Sequence, residues 1–461
     1  MKIAYIRRCF PKPSETFIAE EIAALKKLGH EIRVFAQKGE FVKLSGKVHE
    51  NQLLDLVVHD NLAPCKFAEK QNIRQKITSW WRNFRLGKPY FKNHFTHRSL
   101  LRELQGCSIS PNTVATTIRK LFQTFVLSLR IGNFSVAMNQ VILKHRTFRP
   151  DIIHCPFSFG WDTLMIAQLA KQYPNVPYTV TFRAREFYTT IEDKAFRAYR
   201  AAILEKASAR IAISKVNQEL LATSYPFIKN PPVVHSSIDP NFFFPTYRSP
   251  KAECFQIVSV ARLVRKKGLK YLIEACSILR REGLDFHCRI IGEGILSKEL
   301  REQISRLSLK DYVCLEGPYT PIKIREILGH TDVFVLPCII DVTGDRDMLP
   351  NSLKEAMAMQ CAVITSNISG IEELIQNGEN GILVPANDSA EIANAISNLM
   401  EDQALRTSIG ISARRKIVSD FNIEIEANKL AEVLKGVVAA KSPRRPRAMV
   451  NPNSPDLQTI H

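Results

Sequence analysis

Short apolar runs rich in Val, Ile and Phe alternate with longer stretches of helical periodicity from residue 2 to about residue 400. Strands separated by helices cannot pair as hairpins. Each must run parallel to its neighbours and be covered on both faces. The expected fold class is therefore α/β, built from doubly wound parallel sheets. The first half reads as strand 2–6, helix 16–29 and strand 31–36, and resumes with helix 134–147, strand 151–156, helix 163–173, strand 177–182, helix 193–208 and strand 209–214. Pro240, Pro245 and Pro250 cluster in a linker over 239–251, and the second half runs from Phe255 to about Met400. Two Rossmann-like domains facing across a cleft follow from this layout.

A length of 461 residues allows two or three domains with large cores. Ten cysteines are scattered without a Cys-x-x-Cys pair, and Cys288 and Cys361 sit in apolar strand patterns where buried free thiols are common. That usage fits a reducing cytosol and argues against a zinc site or a disulfide framework. No apolar run is long enough to span a bilayer. Met1–Ile6 reads as the first strand and not as a signal peptide, because Arg7 and Arg8 interrupt a short apolar stretch. The expected location is cytoplasmic, or peripheral at the cytosolic face of a membrane.

Much of the formal charge of +19 concentrates in one stretch. Between Lys66 and Arg98 stand Lys70, Arg74, Lys76, Arg82, Arg85, Lys88 and Lys92 with Glu69 as the one acid, interleaved with Trp80, Trp81, Phe84, Tyr90 and Phe91. Such a mixture suits an anionic membrane surface, where each cation contributes on the order of 1 kcal/mol. It would equally serve single-stranded nucleic acid, or be a solvated helical insertion whose aromatics pack on the body. The tail, 441–461, has few apolar residues and is expected to be disordered.

Chemistry-bearing residues fall at successive strand ends of the second half. Asp332-Val-Phe-Val-Leu-Pro337 is a buried strand pattern; after it come Asp347-Met-Leu-Pro-Asn-Ser-Leu-Lys-Glu355 and a helix from Asn351. A helix opening at the carboxyl end of a parallel strand is where α/β folds bind nucleotides, with amides facing an anion and a carboxylate placed for a ribose hydroxyl pair. The strand Phe255–Ala261 runs into a turn holding Arg262, Lys267 and Gly268, cations suited to a diphosphate. The strand Phe286–Ile291 ends in Gly292-Glu-Gly294, where missing side chains permit close backbone approach to a ligand. Singly, each has a plain structural explanation: a first-turn acid favoured by the helix dipole, a solvated basic turn, a tight glycine turn. Their joint placement is what points to a nucleotide site.

In this arrangement the chain resembles the GT-B retaining glycosyltransferases of family 4. The matching order is Val-Ala-Arg262-Leu…Lys267-Gly268, Gly292-Glu-Gly294, Asp347-x7-Glu355-Ala-Met-Ala, Ser369-Gly370-Ile-Glu-Glu373 and Asn377-Gly-Glu-Asn-Gly381. Gly344-Asp-Arg-Asp347…Leu349-Pro-Asn and the N-terminal Phe10-Pro-x-x-Ser14-Glu-Thr-Phe17 are similar to the subgroup that builds bacterial exopolysaccharides, of colanic-acid type. The resemblance spans nearly the whole chain outside about residues 40–130 and the tail. It implies an acceptor-binding domain over 1–240 with the basic insertion at about 60–130, a donor-binding domain over 251–420, and a helix at 421–440 that crosses back to the first domain.

The activity implied is a hexosyltransferase-type reaction. A sugar passes with retention from a nucleotide-sugar donor to a lipid-linked or glycan acceptor, without cofactor or metal. Arg262, Lys267 and Asp347 would carry the catalysis, with the last on sugar hydroxyls. Glu355, Gly292, Gly294, Met348, Leu349 and Asn351 would bind the donor. A family that uses lipid-linked acceptors favours the membrane reading of 66–98, and no nucleic acid is expected. Met348 stands where Gly is usual and Asp347 where Glu is common, which puts the local sugar contact in question. In the first half, Arg183 occupies the usual His position of Thr181-Phe-Arg183-Ala-Arg-Glu186. Following a strand at its carboxyl end, Arg183 and Glu186 are candidates for acceptor or sugar contact, against a plain surface pair. Ser14, Glu15 and Thr16 open the first helix, either as an N-cap or as an acceptor contact. Asp345-Arg-Asp347 also spells the Asp-x-Asp of metal-dependent transferases, and the surrounding strand, helix and Glu355 disfavour that use. Other readings of the chain are a GT-B epimerase, or a catalytically silent basic membrane or nucleic-acid adaptor.

Overall fold

The structure, a computed structural model, describes residues 1–10, 15–38, 57–58, 147–157, 161–183, 194–245 and 254–441. Ser14, Glu186, the basic stretch 66–98, the expected helix at 134–146 and the tail 442–461 lie outside the described residues.

The first domain contains β1 (Lys2–Cys9), α1 (Thr16–Lys27), β2 (Glu31–Lys38), β3 (Val57–Val58), β4 (Ile152–Cys155), α2 (Trp161–Gln172), β5 (Tyr178–Phe182), α3 (Lys194–Lys206), β6 (Ala209–Ala212) and α4 (Lys215–Ser224). The second follows with β7 (Phe255–Val260), a 3-10 turn (Arg265–Lys267), α5 (Leu269–Arg281), β8 (Phe286–Ile291), α6 (Ser297–Arg306), β9 (Val313–Glu316), α7 (Pro321–Gly329) and β10 (Val333–Leu336). It ends with α8 (Asn351–Ala358), β11 (Ala362–Ser366), a 3-10 turn (Ile371–Glu373), β12 (Ile382–Val384), α9 (Ser389–Glu401), α10 (Gln403–Asp420) and α11 (Ile423–Lys441).

Local rules account for the elements. β10 is buried along all of Val333–Leu336, as a central parallel strand must be. α5 buries Leu269, Leu272, Ile273, Cys276 and Leu279, one face at helical spacing. Some helix starts carry side-chain caps: Thr320 accepts from the Lys323 amide ahead of Pro321, and Asp388 accepts from Ala390 and Glu391. Cys288 and Cys361 are buried free thiols, as their apolar setting predicts.

The sheets have the orders β3-β2-β1-β4-β5-β6 and β12-β11-β10-β7-β8-β9, with all neighbours parallel. Each order reverses once, between β1 and β4 and between β7 and β10. A crevice opens at the carboxyl ends of strands where the order reverses, because successive loops there leave in opposite directions. The topology thus selects the loops after β1, β4, β7 and β10.

α11 leaves the second domain and packs on the first. Ile423, Ala427, Leu430 and Leu434 share a core with Ile3, Tyr5, Ile18 and Ile22. Backbone bonds from Ile238 N–H to the Phe421 carbonyl (3.1 Å) and from Ile423 N–H to the Ile238 carbonyl (2.9 Å) pin the crossing to the hinge segment before the second domain.

Candidate active site

The turn after β7 and the loop after β10 are locked together. The Lys266 ammonium reaches Asp345 at 3.2 Å and Asp347 at 2.9 Å, while Lys267 pairs with the other oxygen of Asp347. The Ile339 amide donates to the Lys266 carbonyl at 2.9 Å. Gly268 has φ +63°, and a Cβ there would lie 1.8 Å from the Pro337 carbonyl oxygen, so only glycine lets the two strand ends meet this closely. Burial alone would push the Asp347 carboxyl up, but the Lys267 and Lys266 ammoniums outweigh it and hold it well below the usual carboxylate range. The same pairing raises Lys267 against a burial that would lower it. Arg262 is exposed beside this pair.

Gly292 and Gly294 stand in close approach to the protein's own backbone. A Cβ at Gly292 would meet the Ala261 carbonyl at 1.9 Å, and one at Gly294 the Leu263 carbonyl at 2.4 Å. The resulting backbone contacts, Leu263 N–H to Glu293 O (2.9 Å) and Leu296 N–H to Leu263 O (3.1 Å), brace the basic turn from its other side. Met348 and Leu349 turn their side chains into the core below α8. Asn351 and Glu355, half-buried, stand on α8 itself, whose first turn carries no acid and has Pro350 as N-cap without a side-chain bond. The α8 start follows directly on the loop that carries Asp345 and Asp347, whose carboxylates hold Lys266 and Lys267.

The first domain supplies the opposing side. Arg7, at the end of β1, donates from Nε to Glu15 at 3.1 Å and from Nη1 to Asp162 at 2.5 Å, over the Phe157 ring. Glu15 precedes α1 without capping it, since its carboxylate is taken by Arg7; Thr16 begins the helix, half-buried. Arg183 is buried, donating to the Pro156 carbonyl (3.0 Å) and to Ser236 Oγ (3.2 Å), with Glu21 at 3.5 Å and the Phe17 ring at 4.3 Å. The surface-pair reading of Arg183 does not hold for it. Glu21 also accepts from Tyr5 at 2.9 Å, and its carboxyl is raised by burial against the pull of Arg183. His154, bonded to Thr179, is lowered to about 3 by burial and by Arg183.

Sequence reasoning missed the residues that join the domains. Lys354, on α8, is fully buried and donates to the Ser236 carbonyl. Burial and then Arg183 lower its amine to about 7, against Glu355, Glu20 and Glu426. His235 places Nε2 2.7 Å from Glu373 of the second domain and Nδ1 3.3 Å from Glu426 of α11, while its backbone amide donates to Glu426 at 2.7 Å. Glu373 in turn accepts from the Lys215 amide at the start of α4. Spacing along the chain carries no sign of these pairs, which span 118 to 191 residues.

Two parallel α/β domains with a charged crevice at their switch points form the GT-B glycosyltransferase architecture. The sequence family described as "Glycosyl transferases group 1" matches residues 248–416. The chain is 35% identical over 451 residues to the Escherichia coli (strain K12) protein WcaL, named for colanic acid biosynthesis, covering 95% of this chain and 100% of that one. Among solved structures it is similar to sucrose-phosphate synthase of Thermosynechococcus elongatus (TM-score 0.68, 17% identity, 95% and 100% covered). It is also similar to Anabaena HepE in complex with UDP-glucose (TM-score 0.61, 17% identity, 95% and 100% covered). The chain belongs to the group 1 glycosyl transferases, in the subgroup of exopolysaccharide biosynthesis.

The His235 contacts make a test of the hinge. Both ring nitrogens face carboxylates, so the imidazolium is the form that fits. Burial would lower the ring, and the bonds to Glu373 and Glu426 overcome this and raise it above its ordinary 6.5. A raised folded-state pKa means stabilisation that is full below the unfolded value and lost as pH climbs through the folded one. The melting temperature of wild type minus that of His235→Gln should therefore be largest at about pH 6 and shrink towards about pH 8. A difference that stays constant with pH would show that the ring is neutral in the folded protein.

Proposed function

We propose that the chain is a retaining, family 4-type hexosyltransferase that moves a sugar from a nucleotide-sugar donor to a lipid-linked or glycan acceptor. The observation that carries this reading is the Lys266–Lys267–Asp347 group at the junction of β7 and β10, beside the start of α8 and Glu355. The diphosphate sits against Arg262, Lys267 and the α8 amides. The Glu355 carboxylate takes the ribose hydroxyls and Asp347 the sugar hydroxyls. As the bond from the sugar's anomeric carbon to the phosphate oxygen breaks, negative charge grows on the diphosphate where fixed cations already stand. The acceptor hydroxyl bonds to the same face of that carbon and its proton passes to the leaving phosphate, so no protein nucleophile is needed. Solved HepE carries UDP-glucose, which makes UDP-sugars the first donors to try. Glu15, Thr16 and Arg183, with Arg7 and Asp162, line the acceptor side.

Lys267→Ala removes a charge-assisted contact worth about 2–3 kcal/mol in the transition state. Turnover over a panel of UDP-, GDP- and ADP-sugars should fall by tens- to hundreds-fold. Unchanged turnover in both Lys267→Ala and Arg262→Ala would remove the basis of the donor site.

The reaction is proposed to need no divalent ion. Asp345 and Asp347 are engaged by Lys266 and Lys267, and the cations do the work of charge neutralisation. Excess chelator should leave the rate intact, whereas strict dependence on manganese or magnesium would make Asp345-Arg-Asp347 a metal motif.

Residues 66–98 are proposed to dock on an anionic membrane surface, on the strength of their interleaved cations and aromatics. Among the described residues no helix is long and apolar enough to cross a membrane. Vesicle binding should rise with anionic lipid and weaken with salt, since exposed charges are screened beyond about 8–10 Å. Replacing Arg82, Arg85, Lys88 and Lys92 by Gln should abolish it while sparing transfer to a soluble acceptor. Indifference of the wild type to anionic vesicles at low salt would make the segment a solvated insertion.

A further inference from the structure

The hinge residue Ser236 receives a hydrogen bond from each domain on a different oxygen. Its carbonyl accepts from Lys354 Nζ of α8, and its hydroxyl accepts from Arg183 Nη1 at 3.2 Å. Arg183 is itself held by the Pro156 carbonyl, Glu21 and the Phe17 ring. Lys354 is 0% exposed and one residue from Glu355, with the Phe421 ring 5.9 Å from its amine. The charged groups acting on it are Arg183, Glu355, Glu20 and Glu426. Stability does not explain a lysine here: a buried ammonium is costly to desolvate, and an apolar side chain of the same length would pack as well or better. What the amine adds is direction, because it fixes the hinge carbonyl relative to the donor helix.

We propose that Lys354 is a positioning residue of the transfer reaction, which through Ser236 sets the register of the donor helix against Arg183 on the acceptor side. The proposal rests on the reading of the cleft as a sugar-transfer site. Transfer needs the acceptor hydroxyl at the sugar's anomeric carbon in reacting geometry, and a displacement of about 1 Å can cost a hundred-fold. On this reading the donor contacts, Glu355 included, stay on the second domain when the tie is lost, so donor affinity should change little.

Lys354→Met keeps the stem and removes the amine, and Ser236→Ala removes only the hydroxyl that receives Arg183. In each, transfer kcat should fall about ten- to a hundred-fold, while nucleoside-diphosphate affinity by calorimetry is unchanged. The double variant should be no worse than the poorer single one, as expected for residues acting as a unit. As pH rises through about 7 the amine loses its charge but keeps an N–H for the Ser236 carbonyl, so the bond weakens from charge-assisted to neutral. The wild-type rate should ease downward there by less than the loss in Lys354→Met, and the Lys354→Met rate should show no such step. Wild-type kcat and pH profile in the folded single variants would overturn the proposal, as would equal losses of donor affinity and kcat. If Lys354→Met does not fold, Ser236→Ala decides by the same kinetics. A wild type inactive on every donor would instead sink the transferase reading. The tie then still reads out as faster hydrogen exchange at the amides of 236–238 in Lys354→Met or Ser236→Ala, and unchanged exchange would overturn it.

Discussion

Two ammonium groups on consecutive residues of a partly buried turn repel each other unless an anion stands between them. Asp347 is that anion, with one oxygen to Lys266 and the other to Lys267. Placing it there draws the loop after β10 across the turn after β7, and the Gly268–Pro337 contact closes the seam. The start of α8 follows from this, because the loop ends at Pro350 where the helix begins. Lys266, Lys267 and Arg262 stand against Asp345 and Asp347, so the group keeps a single positive charge in excess. The same three residues that fold the loop thus leave the field a diphosphate would meet. Asp347 in this arrangement is a structural counter-ion as well as a candidate sugar ligand, and a substrate hydroxyl would be added to its ion pairs without displacing them.

The domains are joined by unlike physics on their two sides. α11 binds the first domain through an aliphatic face, Ala427, Leu430 and Leu434, which resists water and holds without directional preference. The hinge beside it is polar: His235 between Glu373 and Glu426, and Lys354 on Ser236. Polar domain contacts permit relative motion more readily than apolar ones. The aliphatic face thus holds α11 on the first domain, while the directional polar bonds set how the two halves meet.

Much of the architecture was legible because parallel sheets announce themselves by alternation and by fully buried strands such as Val333–Leu336. The strand-end motifs were legible for a related reason: helix starts and basic turns keep their residues close in sequence. Lys354 was not, because on α8 it looks like a solvent-facing lysine beside Leu353, Ala356 and Met357. Its burial comes from the hinge of the other half of the chain. His235, Glu373 and Glu426 escaped notice for the same reason, each being unremarkable in its own segment. At Gly292 and Gly294 close backbone approach was legible, but not that the Ala261 and Leu263 carbonyls would stand where each Cβ would be. A glycine's need for room can be seen in a sequence, but what fills the room cannot.

The departure of Met348 from the family's glycine looks, in sequence, like an obstacle in the sugar pocket. Its side chain is 2% exposed and lies among Leu353, Met357, Ile368 and Ile371. Gly370 makes this possible: a Cβ there would stand 2.9 Å from the Met348 methyl and 3.2 Å from its Cβ, so the second position has given up the volume that the first took. Gly370 also sits at φ +96°, a conformation a side chain would strain. The two positions therefore act as one packing unit across the β10 and β11 loops. Because the methionine side chain is packed in the core, it does not occupy the exposed side of the loop. Packing in the core thus fixes Met348, the residue that directly follows Asp347, whose two oxygens hold Lys266 and Lys267.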